Sequence, residues 1–332
     1  MAASPVAIAI VVPCYNEGEV IAETASRLHA LLTDLVQAGK VAVGSTVYFV
    51  DDGSQDDTWA KVMALVDSGG PFAGIKLSAN RGHQNALFAG LCHAQGGAVV
   101  SIDADLQDDI RIIADMVEAF AVGYDVVYGV RRRRDRDTWF KRRSAEFYYR
   151  LLRSMGVDVV FNHADYRLLS RRALEALKEY HEVNLFLRGI IPALGYRSTQ
   201  VYYDRAERFA GESKYPFRKM LSFAVDGITS FSAVPLRMIA ALGVVIFAGA
   251  CLLSGWVLWT RFISGNAVPG WASSVLPMYF LGGVQLLSIG VLGEYVGRIY
   301  LESKRRPRFH IEELVGGPPL DPAADSRRLP LV

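Results

Sequence analysis

The chain has 332 residues, 51% of them hydrophobic, and a formal net charge of +2. That length allows one large domain or two smaller ones, and so small a net charge gives no reason to expect a nucleic-acid partner. Three cysteines, Cys14, Cys92 and Cys251, show neither paired nor metal-type spacing, which disfavours a disulfide framework and favours a reducing compartment.

The first element is the β-branched run Val6–Val12. It lacks a basic leader and a small-residue cleavage site, so it reads as a strand and not as a signal peptide. Glu19–Leu35 has helical spacing, with Ile21, Ala25, Leu28, Leu32 and Leu35 on one side. Val47–Val50 reads as a strand, Thr58–Val66 as a helix, Ile75–Leu77 as a strand and Gln84–His93 as a helix. Ala98–Ile102 is the next strand, Ile110–Phe120 a helix and Val126–Tyr128 a strand. Unbroken apolar strands alternating with helices predict an α/β fold, a mostly parallel sheet covered on both faces. Ligands of such sheets bind beyond the carboxyl ends of the strands, which is where Tyr15–Glu17, Asp51–Asp52 and Asp103–Gln107 fall. Neither a Gly-x-Gly-x-x-Gly turn nor a P-loop occurs, so these common phosphate cradles are excluded.

The stretch Ser101-Ile-Asp-Ala-Asp-Leu-Gln-Asp-Asp109 packs acidic residues behind a buried strand. If it is extended, Asp103, Asp105 and Gln107 project to one side while Ala104 and Leu106 face the other. Two carboxylates and an amide oxygen suit a hard divalent cation, Mg²⁺ in particular, with substrate phosphates completing the ligand set. A solvated loop is the plainer reading of a lone Asp-x-Asp; Asp51-Asp52, two strands away, favours the metal.

Towards the C-terminus, Leu236–Trp259 carries only Arg237 as a charge, and Val275–Gly293 carries none. Each is long enough to cross a hydrocarbon core of about 30 Å; a pair of buried core helices is the alternative. Flanking Arg218, Lys219, Arg237, Arg298, Lys304, Arg305, Arg306 and Arg308, against Arg261 alone in the connection, place the large domain and both termini in the cytosol by the positive-inside rule. Glu294 and Arg298 stand four apart, at ion-pair spacing on a helix. Tyr215–Phe231 suits an amphipathic surface helix or a plain connector. Gly282, Gly283 and Gly290 offer small-residue packing for a homo-oligomer. The basic runs Arg131–Arg134, Lys141–Arg143 and Lys304–Arg308 suit phosphates or an anionic membrane, or else simply a solvated face.

Five stretches in order carry a resemblance: Val12-Pro-Cys-Tyr-Asn-Glu17, Val50-Asp-Asp-Gly-Ser54, Asn80-Arg-Gly-His-Gln-Asn-Ala-Leu87, Asp103-Ala-Asp-Leu-Gln-Asp108 and Arg208-Phe-Ala-Gly-Glu-Ser-Lys-Tyr215. The chain resembles the family 2 GT-A glycosyltransferases, and among them the polyprenyl-phosphate group of bactoprenol glucosyltransferases and dolichol-phosphate mannose synthases. The resemblance implies a Rossmann-like GT-A domain over 1–212, juxtamembrane helices over 213–233, a two-helix transmembrane hairpin over 234–300 and a basic cytosolic tail over 301–332. It implies transfer of a hexose from a nucleotide sugar, UDP-glucose before GDP-mannose, to a polyprenyl phosphate at the membrane. It also assigns residues. Pro13, Tyr15 and Glu17 line the nucleotide pocket, with Asp52 near the base and Arg81 beside the substrate. Asp103, Asp105 and Gln107 surround Mg²⁺ or Mn²⁺ and the diphosphate. Arg208, Ser213 and Lys214 reach phosphate oxygens with help from Arg131, and Asp165 sits near the acceptor. Ala164 and Asp109 depart from the Gly and Pro common in the family at these places.

A phosphomonoester acceptor is already largely dianionic at neutral pH, its second ionisation lying near pH 6. Asp165 is therefore expected to orient the site and not to act as an obligatory base, with capping or an ion pair to Arg167 as its structural alternative. His83 is expected to pack near the donor. A processive polysaccharide synthase is disfavoured because no Arg-Trp pair occurs, and a non-catalytic nucleotide-sugar sensor because Asp103, Asp105 and Lys214 are all present.

Overall fold

The structure is a computed structural model and describes residues 5–131, 163–182, 185–204 and 270–317, with scattered positions between 236 and 259. Strand β1 (Ile8–Cys14) is buried along its whole length. It lies between two parallel neighbours, β2 (Thr46–Asp51) and β4 (Ala98–Ser101), and β3 (Phe72–Leu77) pairs parallel with β2. A strand covered on both faces has no need of alternating polarity, which is why these segments read as apolar runs.

Successive side chains of β1 serve opposite faces. Ile8, Ile10 and Val12 join the core formed with Ile21, Ala25, Leu28, Leu32 and Leu35 of α1 (Gly18–Gln37), the predicted face of that helix. On the other face lies α3 (His83–His93), which comes so near that a Cβ on Gly90 would meet Val11 Cγ1 at 2.3 Å and Val50 Cγ2 at 2.7 Å. Helices α2 (Thr58–Asp67) and α4 (Ile112–Ala121) follow β2 and β4.

Beyond the parallel core the sheet becomes mixed. Its strand order is β7-β5-β6-β4-β1-β2-β3-β8, where β5 is Val126–Arg131, β6 His163–Ser170, β7 Ser198–Tyr203 and β8 Ile311–Gly316. Strand β6 runs antiparallel to both β4 and β5, and β8 antiparallel to β3, while β5 and β7 are parallel. Between β6 and β7 stand two short helices, α5 (Arg171–Lys178) and α6 (Leu187–Ala193).

The tail expected over 301–332 therefore contains a sheet strand. Lys76 pairs with Glu312 at 2.9 Å, and Trp59 Nε1 donates to Glu313 at 3.2 Å. Part of the basic run before it is committed to the fold as well. Arg308 donates to the Tyr180 carbonyl at 2.5 Å and lies 4.7 Å over the Phe88 ring.

The sheet with α1–α6 forms one compact unit, and α7 (Trp271–Ser303) belongs to a second. Within α7, Phe280–Ser303 is long and apolar enough to cross a membrane, and none of its most apolar window is buried. The predicted pair Glu294–Arg298 forms at 3.1 Å. Of the first predicted span only scattered positions are described, and all are helical. The juxtamembrane segment 213–233, Arg132–Arg134, Lys141–Arg143 and Cys251 lie outside the described residues.

The end of the sheet opposite the strand-end clusters is locked by Asp125. Its carboxylate accepts from Ser170 Oγ at 2.8 Å and pairs with Arg172, and Ser170 Oγ in turn caps α5 through Ala173 N at 3.2 Å. The hydrogen bonds from Arg172, then Ser170, hold the Asp125 carboxyl below its usual range. A depressed folded-state value contributes stability above the unfolded carboxylate's pKa, and that contribution disappears as pH falls through the folded value. Urea midpoints measured from pH 6 down to pH 3 are expected to converge for wild type and Asp125→Asn, wild type being the more stable only at the upper end.

Candidate active site

The loops after β1 and β2 are stitched together at the carboxyl rim of the sheet. Asn16 adopts φ 54°, a conformation that Asn tolerates better than most residues. Its N–H donates to Ser54 Oγ at 2.9 Å, and its Oδ1 accepts from Gln55 N at 2.8 Å. Glu17 N donates to Thr58 Oγ1 at 3.0 Å. Tyr15, at the mouth of this junction, is 41% exposed.

Asp52 is 3% exposed, and both its oxygens are engaged by backbone: Arg81 N at 2.7 Å and Gly82 N at 2.9 Å. The acid thus fixes the loop that leads into α3. Gly53, at φ 71°, allows that loop to approach, since a Cβ there would lie 2.7 Å from Ala79 C and Asn80 N. The Arg81 residue itself is exposed.

After β4 the chain turns where the sequence suggests extension. Residues 104 and 105 form a turn, Leu106 has φ 55°, and Asp105 Oδ1 accepts from Gln107 N at 3.2 Å. Thr24 Oγ1 of α1 holds the turn by donating to Ala104 O at 2.9 Å. The expected sidedness survives the correction, because Ala104 and Leu106 are buried while Asp103, Asp105 and Gln107 are half-buried. A branched residue at positive φ is unfavourable; here it accompanies the turn that keeps both acids at the rim.

The remaining two acids of the stretch have structural partners. Asp108 accepts from Tyr203 Oη at 2.6 Å and pairs with Arg131 at 3.1 Å, and Asp109 pairs with Arg111 at 2.8 Å. Arg131, expected near phosphate, is therefore anchored on Asp108 and Tyr203.

Antiparallel pairing of β6 with β4 brings Asp165 to the same rim, where Ser101 Oγ donates to its carbonyl at 2.6 Å. His83, at the start of α3, stands between the two acids, with Nε2 3.6 Å from Asp103 and 3.5 Å from Asp165.

The family described as "Glycosyl transferase family 2" matches residues 9–178, which span this rim from β1 through Asp165. The chain belongs to glycosyl transferase family 2. The "Uncharacterized glycosyltransferase YkoT" of Bacillus subtilis (strain 168) is 48% identical over 307 residues, 92% of this chain and 91% of the relative. The "Bactoprenol glucosyl transferase" of Shigella phage SfV is 40% identical over 309 residues, 92% of this chain and 98% of the relative. Among solved structures, mannosyl-3-phosphoglycerate synthase from Rubrobacter xylanophilus is similar with a TM-score of 0.47 at 18% identity, over 72% of this chain and 75% of that one.

Within this family 2 glycosyltransferase the two rim acids have opposite electrostatics. Burial, with the neighbouring charges of Asp165, Asp108 and Asp105, pushes the Asp103 carboxyl up to about 6, against the opposing pull of His83. Asp165 is also penalised by burial, but Arg188, His83 and Arg167 outweigh that and hold it well below the carboxylate range. Both Asp165 oxygens are covered by donors: Arg167 on Oδ1, Gln84 Nε2 on Oδ2 at 3.0 Å, and Arg188 across both at 3.3 and 3.4 Å. The ion pair with Arg167, considered above as an alternative role for Asp165, does form.

A divalent cation fits the crowded acids as a shared site and not as an all-protein cage. Among the described residues no group of three or more His, Cys, Asp or Glu side chains converges to hold one. Asp103 and Asp105, with the Gln107 amide, would supply the one or two carboxylates that Mg²⁺ takes when substrate phosphates provide further ligands. Burial first, and the neighbouring acids after it, raise the Asp103 carboxyl, a cost to its ionised form that a bound cation would offset.

Arg208, Ser213 and Lys214 lie outside the described residues. Sequence reasoning missed Gln84 and Arg188. Gln84 lay inside a quoted motif without a role, and Arg188 had no motif at all.

Proposed function

We propose that the enzyme transfers a hexose from a nucleotide sugar to a polyprenyl phosphate at a membrane surface, with inversion at the anomeric carbon and with Mg²⁺ or Mn²⁺. UDP-glucose is the leading donor and GDP-mannose the alternative. The observation that carries the reading is the meeting of Asp103, His83 and Asp165 at one carboxyl rim beside Asp105. The relatives named for bactoprenol glucosyl transfer support the acceptor class, and the apolar stretch Phe280–Ser303 supports a membrane location.

In this reaction an acceptor phosphate oxygen attacks the anomeric carbon, a new C–O bond forms, and the bond to the nucleoside diphosphate breaks with its electron pair leaving on that diphosphate. A cation held by Asp103, Asp105 and Gln107 would supply charge stabilisation to the diphosphate. Tyr15 with the Asn16–Glu17 loop would border the nucleotide, and Arg208, Ser213 and Lys214 would reach phosphate oxygens. The attacking phosphate is largely deprotonated at pH 7, so no side chain need remove a proton. Asp165, saturated with donors, orients its neighbours.

The test incubates membranes containing the full chain with polyprenyl phosphate and a panel of radiolabelled nucleotide sugars, with and without EDTA. Label entering the organic phase from one donor, and lost on chelation, is the expected result. Label in water-soluble polymer, or none with any donor, overturns the reading.

A further inference from the structure

The turn after β4 combines backbone strain with a restraint supplied by another helix. Leu106, which is buried, takes φ 55°. That region is costly for a bulky side chain and persists only where the surroundings impose it. Within the turn, Asp105 Oδ1 accepts from Gln107 N at 3.2 Å, so this restraint draws on a candidate cation ligand. The Thr24 hydroxyl does not. From α1, 80 positions away in the chain, it reaches the Ala104 carbonyl at 2.9 Å. It also lies 3.0 Å from Val20 O in its own helix. A hydroxyl has one proton, so the two carbonyls share it.

A helical threonine can satisfy its hydroxyl on the carbonyl four residues back, and Val20 O is that carbonyl. Reaching the turn therefore adds little for Thr24. The group that gains is the carbonyl of buried Ala104, which lies between Asp103 and Asp105 in the chain. Other anchors of the stretch lie beyond Leu106. Asp108 is held by Tyr203 and Arg131, and the Asp109 carbonyl accepts from Tyr166 Oη at 3.0 Å.

We propose that Thr24 is a positioning residue for divalent-cation binding. Its hydrogen bond to Ala104 O holds the strained turn in the form that presents Asp103 and Asp105 to one ion. The inference rests on the cation role proposed above. Without this bond the turn relaxes towards the extended form that relieves Leu106. The apparent affinity for the ion then falls in proportion to the fraction of molecules still bent.

The test uses the full chain in detergent and compares wild type, Thr24→Val, Thr24→Ser and Tyr166→Phe. Calorimetry measures Mn²⁺ affinity in the presence of saturating UDP, and melting temperatures are recorded without Mn²⁺. One neutral hydrogen bond corresponds to about 3- to 10-fold in an equilibrium, so Thr24→Val is expected to bind Mn²⁺ more weakly by that factor. Thr24→Ser keeps the hydroxyl and retains wild-type affinity. Tyr166→Phe deletes a hydroxyl beyond the Asp108 anchor, and is expected to lower the melting temperature without weakening Mn²⁺ binding. A Thr24 that served only the fold would lower the melting temperature and leave the Mn²⁺ affinity of the folded variant unchanged, and that result overturns the inference. Equal weakening by Thr24→Ser or by Tyr166→Phe also overturns it. Should Thr24→Val not fold, Thr24→Ala is read in its place. Wild type that binds no Mn²⁺ with UDP removes the cation reading and this inference together; wild type that binds Mn²⁺ no better than Thr24→Val removes the inference alone.

Discussion

Arg167→Leu is expected to lower the free energy of unfolding by about 3–5 kcal/mol, because removing one partner of a buried ion pair leaves the other charge uncompensated. Arg167 has no exposed surface, pairs with Asp165 and donates to the Leu187 carbonyl at 3.4 Å. Its Nε has no hydrogen-bond partner among the described residues, so the site already carries one unsatisfied donor. Leucine removes that donor along with the charge, and Arg188 and Gln84 remain on Asp165, which places the expected loss at the lower end of the range. Combining the change with Asp165→Asn is expected to recover part of the stability, since no charge is then stranded. Urea unfolding of the three variants decides the matter. Equal losses in the single and double variants would show that Arg167 acts through packing and not through its charge.

Asp103→Asn is expected to cut turnover by about 10²- to 10³-fold, the scale of losing one charge-stabilising group in a reaction centred on phosphate. The fold should tolerate it. The carboxyl is pushed up to about 6 by burial and by neighbouring acids, so above that pH its ionised form weighs against the folded state. An isosteric amide relieves the repulsion. The expected signature is therefore a near-dead enzyme with an unchanged or raised melting temperature, the trade of stability against activity common at functional sites. Turnover within a few-fold of wild type would show that the acid at 103 has no part in the reaction.

The strands legible in the sequence were those of the parallel core, where burial on both faces demands a continuous apolar run. Ile8–Cys14, Thr46–Asp51 and Ala98–Ser101 meet that demand. Strand β6 does not, because Asp165 and Arg167 are buried in it by pairing with each other and not by being apolar. Strand β7 is an edge strand with alternate residues exposed. Strand β8 carries Glu312 and Glu313, and its partner strand lies far away in the chain.

The same distinction runs through the site. Asp103 and Asp105 announced themselves because a charge cluster directly after a buried strand is locally anomalous. The Gln84–Asp165 and Arg188–Asp165 contacts join residues 81 and 23 positions apart, and no local pattern marks them. The turn at Leu106 also escaped, since side-chain alternation is the same whether the backbone extends or bends there, and only its φ of 55° separates the two.

Strand β8 follows α7 in the chain yet completes the sheet beside β3. During synthesis the β3 margin therefore lacks its β8 partner until the ribosome has made α7 and released what comes after it. Unpaired sheet margins template association with other chains, and partly made polypeptides are prone to it. Nascent chains that stall within α7 thus keep that margin unpaired, and the charges on Glu312 and Glu313 later help keep the finished margin from recruiting a neighbour.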